Sequence, residues 1–334
     1  MGLPTVRAAQ EITVDAGAVR AIESAPLNSR RGFRYPVASM PDGSTVSIPV
    51  NVITGSRRHP RLLVVAGHHG DEQEGPAALI TLWQRLKPKD LNGSLVIIPV
   101  LNPPAFQALR RVGYEDSLDI NRIFPGNPSG TITARLADAL CRHLVAGADL
   151  ILSMHGWTAG YLVEPYVEYP RSGDVSEASG RAARAFGLGF VNPLEAGPGR
   201  LLTEASTRGL PVIEVEIGGQ ATSLPERRAL YEEGTLNLLR HMGILGGRGK
   251  RTTPPQAVDR VDVFAPAGGL LRAELPVGAA VRSGQVLARI YDLNLELTDT
   301  ILSPATGVVG VMRLAANVLP GQLVSTVFAP IAVA

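Results

Sequence analysis

Two histidines and two acids fall within five residues of this chain, in His68-His69-Gly70-Asp71-Glu72, directly after the apolar run Leu62-Leu63-Val64-Val65-Ala66. Imidazole and carboxylate at this density are the donor set of a divalent metal, and a catalytic zinc takes three protein ligands and keeps a further position open. His69 and Glu72 are spaced i, i+3, so a tight turn running into a helix can aim both at one point. His68 is the competing ligand, with Asp71 and Glu72 at i+3 and i+4; it reads better as a neighbour of the ligand His69. A third ligand must come from elsewhere. Leu152-Ser153-Met154-His155-Gly156 supplies one, again an apolar run ending in histidine and glycine. A His-x-x-Glu alone arises often by chance, and a lone histidine at a strand end is usually a hydrogen-bonded rim residue. Two such ends in one α/β pattern make His69, Glu72 and His155 a candidate metal site. His59 precedes a proline, and His143 and His241 lie in helical runs; ordinary roles suffice for these three.

The elements that must position these residues alternate. Strand-like runs cover 62–66, 94–101, 149–154 and 212–217, and helix-like runs cover 77–86, 132–145, 177–186 and 225–241. Thr131 is placed to cap the second of these helices, and Pro225-Glu226 suits the first turn of the last. Such alternation predicts a mainly parallel mixed sheet flanked by helices, whose ligands bind beyond the carboxyl ends of the strands. Before it, 33–38 and 45–53 flank Pro41-Asp42-Gly43 and read as an N-terminal β-hairpin. Its Pro36 and Pro49 point to a sheet edge. The stretches 158–169 and 192–207 read as loops that wall a pocket, with Trp157, Tyr161 and Tyr166 as candidate lining.

After Gly243 the pattern changes. Residues 248–258 read as a Gly/Pro-rich linker between an α/β domain, 1–247, and an all-β domain, 259–334. In the latter, Ala265-Pro266-Ala267-Gly268-Gly269 is echoed by Ser303-Pro304-Ala305-Thr306-Gly307. Val281-Arg282-Ser283-Gly284-Gln285-Val286 is likewise echoed by Val318-Leu319-Pro320-Gly321-Gln322-Leu323. The repeat resembles the barrel-sandwich fold of biotinyl and lipoyl carriers. No lysine follows Lys250, so carrier function is excluded and the domain is not lipoylated.

Composition narrows the function classes. A net charge of +2 leaves no sequence-wide basic field for nucleic acid or an anionic membrane. Only three of the 32 basic residues are lysines (Lys87, Lys89 and Lys250), so carboxylate recognition falls to arginine. The single cysteine, Cys141, excludes an intrachain disulfide framework and a thiolate metal cluster, and it reads as a buried helix residue. Met1-Gly2-Leu3-Pro4-Thr5-Val6 carries neither a signal-peptide nor a myristoylation pattern, and no apolar run approaches the ~18 residues of a membrane span. The expectation is a cytoplasmic enzyme or binding protein, with a homo-oligomer plausible.

Four ordered motifs carry a resemblance: Gly67-His68-His69-Gly70-Asp71-Glu72, Asp119-Ile120-Asn121-Arg122-Ile123-Phe124-Pro125-Gly126, His155-Gly156 and Glu216-Ile217-Gly218-Gly219. Together they resemble the succinylglutamate desuccinylase/aspartoacylase family, zinc-dependent N-acyl amino acid amidohydrolases related to the zinc carboxypeptidases. The resemblance runs in order over about residues 35–330, and Asn102-Pro103-Pro104-Ala105-Phe106 before Arg111 is similar to a bacterial subgroup that deacetylates small N-acetylated amino acids. It implies one zinc per chain on His69, Glu72 and His155, with Glu216 as general base and acid. It also implies that Arg111 polarises the scissile carbonyl and that Arg122, beside Asn121, holds the substrate carboxylate. Where the family usually has Asp-Leu-His before the second histidine, this chain has Ser153-Met154-His155, so a carboxylate that could orient the ring is missing there.

The residues agree with part of this. Glu214 and Glu216 share one face of a strand, and Glu216 lies nearer its carboxyl end. Glu214 reads as the partner of a buried arginine. Of Arg110 and Arg111 only one can face the site, and Arg110 reads as surface; Asp119 reads as fixing its loop. The leading expectation is hydrolysis of a small N-acylated amino acid. A zinc carboxypeptidase acting on peptides and a catalytically silent metal-binding assembly protein are the alternatives.

Overall fold

The computed structural model describes residues 10–11, 17–249 and 253–331. The reading of residues 1–6, the middle of the 248–258 linker and the last three residues of the chain therefore lie outside the described residues. In chain order the α/β part comprises β1 (Gln10–Glu11), α1 (Gly17–Glu23), β2 (Ser29–Ser39), β3 (Thr45–Thr54), β4 (Arg61–Val65), α2 (Glu74–Arg85), β5 (Ser94–Ile98) and α3 (Pro103–Ala108). It continues with α4 (Ile132–Ala139), β6 (Leu150–His155), β7 (Tyr161–Pro170), α5 (Ser176–Phe186), β8 (Phe190–Leu194), α6 (Leu201–Thr207), β9 (Val212–Gly219) and α7 (Pro225–His241). Strands alone follow: β10 (Gln256–Phe264), β11 (Gly269–Ala273), β12 (Ala280–Val281), β13 (Val286–Tyr291), β14 (Leu297–Leu302), β15 (Gly307–Arg313), β16 (Asn317–Val318) and β17 (Leu323–Pro330).

Every residue of β4, β5 and β6 is buried, as continuous apolar runs in strands covered on both faces must be. These strands and β9 form the parallel centre, in the order β5-β4-β6-β9. Leu79, Leu82, Phe186 and Leu239 of α2, α5 and α7 cover one face, and Leu136, Leu140 and Leu202 belong to the core of the other. At roughly 1.5–3 kcal/mol for each large apolar side chain buried, these two cores dominate what favours the fold.

The sheet is mixed beyond this centre. β2 and β3 form the expected hairpin, yet β3 is interior, because Asn51–Thr54 pairs with β5. Pro49 is tolerated because it lies just before that paired segment, and Pro36 sits at a bulge. The predicted helix over 132–145 is α4 extended by a π-helical turn, Leu140–Leu144; Thr131 occupies its N-cap position without a side-chain cap bond. The stretches expected as loops are regular instead: 158–169 contains most of β7, and 192–207 contains the end of β8 and all of α6.

β7 joins the two parts of the chain. One edge pairs antiparallel with β9. The other is shared by β8, over Tyr166–Pro170, and β15, over Tyr161–Val163. Since β8 also pairs with β10, β10 with β17, and β17 with β15, these five strands close a ring. Tyr166, Val163, Val258, Val311 and Phe328 form its buried cluster. A second sheet, β14-β13-β11-β16, packs through Leu271, Leu287, Ile290 and Val324 onto the C-terminal strands. Hydrogen-bonded ladders thus run from the α/β part into the C-terminal part. Among the described residues no helix is long and apolar enough to cross a membrane.

Candidate metal centre and cavity

β4, β6 and β9 end side by side, and their carboxyl ends deliver His69, Glu72, His155, Glu214 and Glu216 to one cavity of ≈ 320 Å³. After β4 the chain turns sharply. Gly70 is pressed so closely on α3 that an added Cβ would lie 1.8 Å from the Ala105 carbonyl oxygen. This packing, with the Gly70 amide donating to the Arg110 carbonyl at 2.8 Å, fixes the turn carrying His69 and Glu72. His155 is the last residue of β6, and the Tyr231 hydroxyl anchors the strand end against the carbonyls of His155 and Val215.

The three candidate ligands are all buried. His69 Nδ1 lies 2.7 Å from Glu72 Oε1, and His155 Nδ1 lies 3.0 Å from Glu72 Oε2. One donor atom from each of the three falls within 4.8 Å of the others. Burial pushes the Glu72 pKa up, but the charges and hydrogen bonds of His69 and His155 carry it well below the usual carboxylate range. A carboxylate whose charged form is favoured, set between two imidazole Nδ1 atoms, suits a divalent cation, and the N₂O set with an accessible cavity suits zinc. His68 is not aimed at this point. Its ring stacks on His155 at 4.4 Å, and burial, with the neighbouring imidazoles, lowers its pKa well below the ordinary value. It is a neutral packing neighbour.

Asp119 does more than fix its loop. It caps the 3₁₀ turn Ile120–Arg122, accepting from the Asn121 amide at 2.9 Å, and its Oδ1 also meets His69 Nε2 at 2.9 Å. Its other oxygen takes a paired contact from Arg111, Nε at 3.0 Å and a terminal nitrogen at 2.9 Å. Arg111 thereby reaches within 3.4 Å of Glu72, beside the candidate metal position, whereas Arg110 is exposed. Arg122 lines the cavity and spends one contact on its own loop, Asn121 O at 2.8 Å. Asn121 is largely committed: its Oδ1 accepts from the Leu201 amide at 2.9 Å and its amide donates to Glu214 at 3.1 Å.

Glu214 and Glu216 differ in surroundings. Glu214 pairs with Arg200 at 2.7 Å, the buried-arginine partnership expected of it. Burial would raise its pKa, but Arg200 and His155 hold it at about 2. Glu216 opens onto the cavity with no hydrogen-bond partner on Oε2. Burial and the negative Glu72, Glu168 and Glu214 raise its pKa well above the ordinary value. A carboxylate that readily takes up a proton beside a candidate metal position has the chemistry that a general base needs.

Sequence reasoning missed Glu168, Arg200 and Arg260. Glu168 of β7 is fully buried and ion-paired with both arginines, at 3.0 Å to Arg260. Arg260, from β10, also donates to the Tyr166 hydroxyl at 3.0 Å and lies 5.5 Å from the Trp157 ring centroid. Arg260 and Leu323 thus bring the C-terminal strands into the cavity wall, with Trp157, Thr158 and Tyr161. Trp157 and Tyr161 line the cavity as expected, whereas Tyr166 is fully buried beneath it. Only β10's alternation could have flagged Arg260, and nothing local marks Arg200.

Residues 58–242 match the model of the succinylglutamate desuccinylase/aspartoacylase catalytic domain. Over 294 residues the chain is 34% identical to the N-alpha-acetyl-L-2,4-diaminobutyric acid deacetylase of Halomonas elongata, covering 84% of this chain and 85% of that one. Among solved structures it resembles the product-bound ectoine utilization protein EutE (DoeB) of Ruegeria pomeroyi, with a TM-score of 0.84, 28% identity and coverage of 92% and 98% of the two chains. It also resembles a succinylglutamate desuccinylase/aspartoacylase of Rhodobacter sphaeroides, with a TM-score of 0.83, 28% identity and coverage of 90% and 96%.

Proposed function

The chain belongs to the succinylglutamate desuccinylase/aspartoacylase family, and we propose that it hydrolyses the amide bond of a small N-acylated amino acid. The observation that carries this reading is the convergence of His69, Glu72 and His155 beside an unpartnered Glu216 in one small cavity. The relatives' names, a diaminobutyric acid deacetylase and desuccinylases, support the deacylase class. In this reading residues 1–247 form the catalytic domain and 259–334 a β domain that narrows the cavity through Arg260 and Leu323. The protein works in the cytoplasm on a small molecule.

His69, Glu72 and His155 would hold one zinc ion per chain. When bound, zinc supplies the Lewis acid that lowers the pKa of water and polarises the acyl carbonyl. Glu216 takes the proton of the attacking water and delivers it to the leaving amine nitrogen. Arg111, held by Asp119 beside Glu72, offers positive charge where the oxyanion develops. Arg122, with the uncommitted N–H of Asn121, holds the α-carboxylate. A cavity of ≈ 320 Å³ favours this over a peptidase, whose peptide would need a longer cleft. Amine release from N-acetyl and N-succinyl amino acids, against C-terminal dipeptides, tests it: turnover of dipeptides alone would overturn the deacylase reading.

A further inference from the structure

The two candidate metal-binding histidines face alike. Each turns Nδ1 to Glu72 and Nε2 to a second carboxylate, Asp119 at 2.9 Å for His69 and Glu214 at 3.6 Å for His155. In a neutral imidazole only one nitrogen carries the proton, so an Nδ1 that offers its lone pair requires Nε2–H, and an acid facing Nε2 favours that tautomer. His155 Nε2 has no hydrogen-bond partner in the protein, and Glu214 is the acid within ion-pair distance of it.

Glu214 is also held in place. Its Oε1 accepts from Arg200 at 2.7 Å and from Asn121 at 3.1 Å, and its side chain is 1% exposed. Ser153, its register neighbour on β6, is uncharged, and the acid opposite it on β7, Glu168, is neutralised by the same Arg200. Arg200 is shared with Glu168, and Glu168 with Arg260 of the C-terminal strands. A continuous set of buried charge pairs therefore runs from β10 to the ring of His155.

We propose that Glu214, clamped by Arg200 and Asn121, is the positioning residue that orients the His155 ring and fixes its tautomer for metal binding. Through Glu168 and Arg260, the C-terminal strands hold that clamp. The inference rests on the metal site of the proposed function, and the experiment separates the two.

The metal-free protein is titrated with zinc against a chromophoric chelator, for the wild type, Glu214→Gln and, as a comparator for the other histidine, Asp119→Asn. Glu214→Gln keeps the shape and removes the charge, and loss of such a partner weakens metal binding by about 10–100-fold. Long-range ¹H–¹⁵N spectra of the zinc-loaded proteins read the ring directly: with Nδ1 on the metal, the proton facing Glu214 is His155 Nε2–H, and its resonance shifts and exchanges faster with solvent in Glu214→Gln while that of His69 stays in place. A merely structural role would leave both readouts unmoved. If the Gln variant fails to fold, Glu214→Asp retains the charge but draws it back from the ring, with about tenfold weaker zinc binding expected. Wild-type zinc binding with equal affinity in the folded Glu214 variant overturns the role of Glu214 alone. A wild type that binds no zinc overturns the metal site, and this inference with it.

Discussion

Replacing Arg260 by Met tests how far the C-terminal strands support the cavity. The substitution keeps an apolar stem of similar length but removes the guanidinium that lies over Trp157 and Tyr166 and is one of the two cations facing the fully buried Glu168. Arg200 remains, shared between Glu168 and Glu214. Removing one partner of a buried pair costs about 3–5 kcal/mol, and the retained arginine places this case near the lower end, about 3 kcal/mol. The unfolding entropy of a chain of 334 residues is about 0.7 kcal/mol/K at about 2.1 cal/mol/K per residue. The expected fall in Tm is therefore about 4 °C. Thermal unfolding followed by circular dichroism at neutral pH measures it, and the double variant Arg260→Met/Glu168→Leu should recover at least half the loss, because the stranded acid is gone. An Arg260→Met protein that melts with the wild type, or a double variant less stable than the single one, would refute the buried network as described.

Four further outcomes follow from the same structure. Glu216→Gln should lower kcat by about 10²–10⁴-fold while bound zinc, measured by elemental analysis, stays at the wild-type level. Arg122→Met should act mainly on KM, by about 10–100-fold, as one charge-assisted carboxylate contact is lost; an equal fall in kcat would move Arg122 out of ground-state binding. Burial raises the Glu168 pKa, but Arg200 and Arg260 bring it below the ordinary value. Its contribution to stability is therefore complete above the unfolded carboxylate value of about 4.3 and is lost as pH falls from there towards its folded value. Acid titration of the Tm should show a steeper fall for the wild type than for Glu168→Gln. Cys141, buried and with its thiol pushed up to about 12, should resist iodoacetamide at mildly alkaline pH until the protein is unfolded.

The site was legible wherever chemistry coincided with a strand end. His69, Glu72, His155 and Glu216 each lie at or just past the end of an apolar run, and both the runs and the residues are local signals. β7 was not legible. Glu164, Pro165 and Glu168 interrupt its alternation, and it pairs with three strands along its two edges, with a register shift against β9 between Val163 and Tyr166, which only tertiary partners can specify. α3 was masked by Pro103-Pro104, although Asn102 before them accepts from the Ala105 amide as a capping residue should. α6 was masked by the Gly197-Pro198-Gly199 that precedes it. Arg200 and Arg260 matter through Glu168, which lies 32 and 92 positions away in the chain, and no spacing rule connects such residues.

The central claim is best tested by amine release from a panel that includes N-alpha-acetyl-2,4-diaminobutyrate and other N-acetyl and N-succinyl amino acids. The protein is assayed as purified, after chelation and after zinc is restored. Turnover of one small acyl amino acid, abolished by chelation and recovered with zinc, is the result expected of His69, Glu72, His155 and Glu216 acting together. Undiminished turnover in protein shown to be free of metal would contradict it, as would no turnover of any panel member by the zinc-loaded protein.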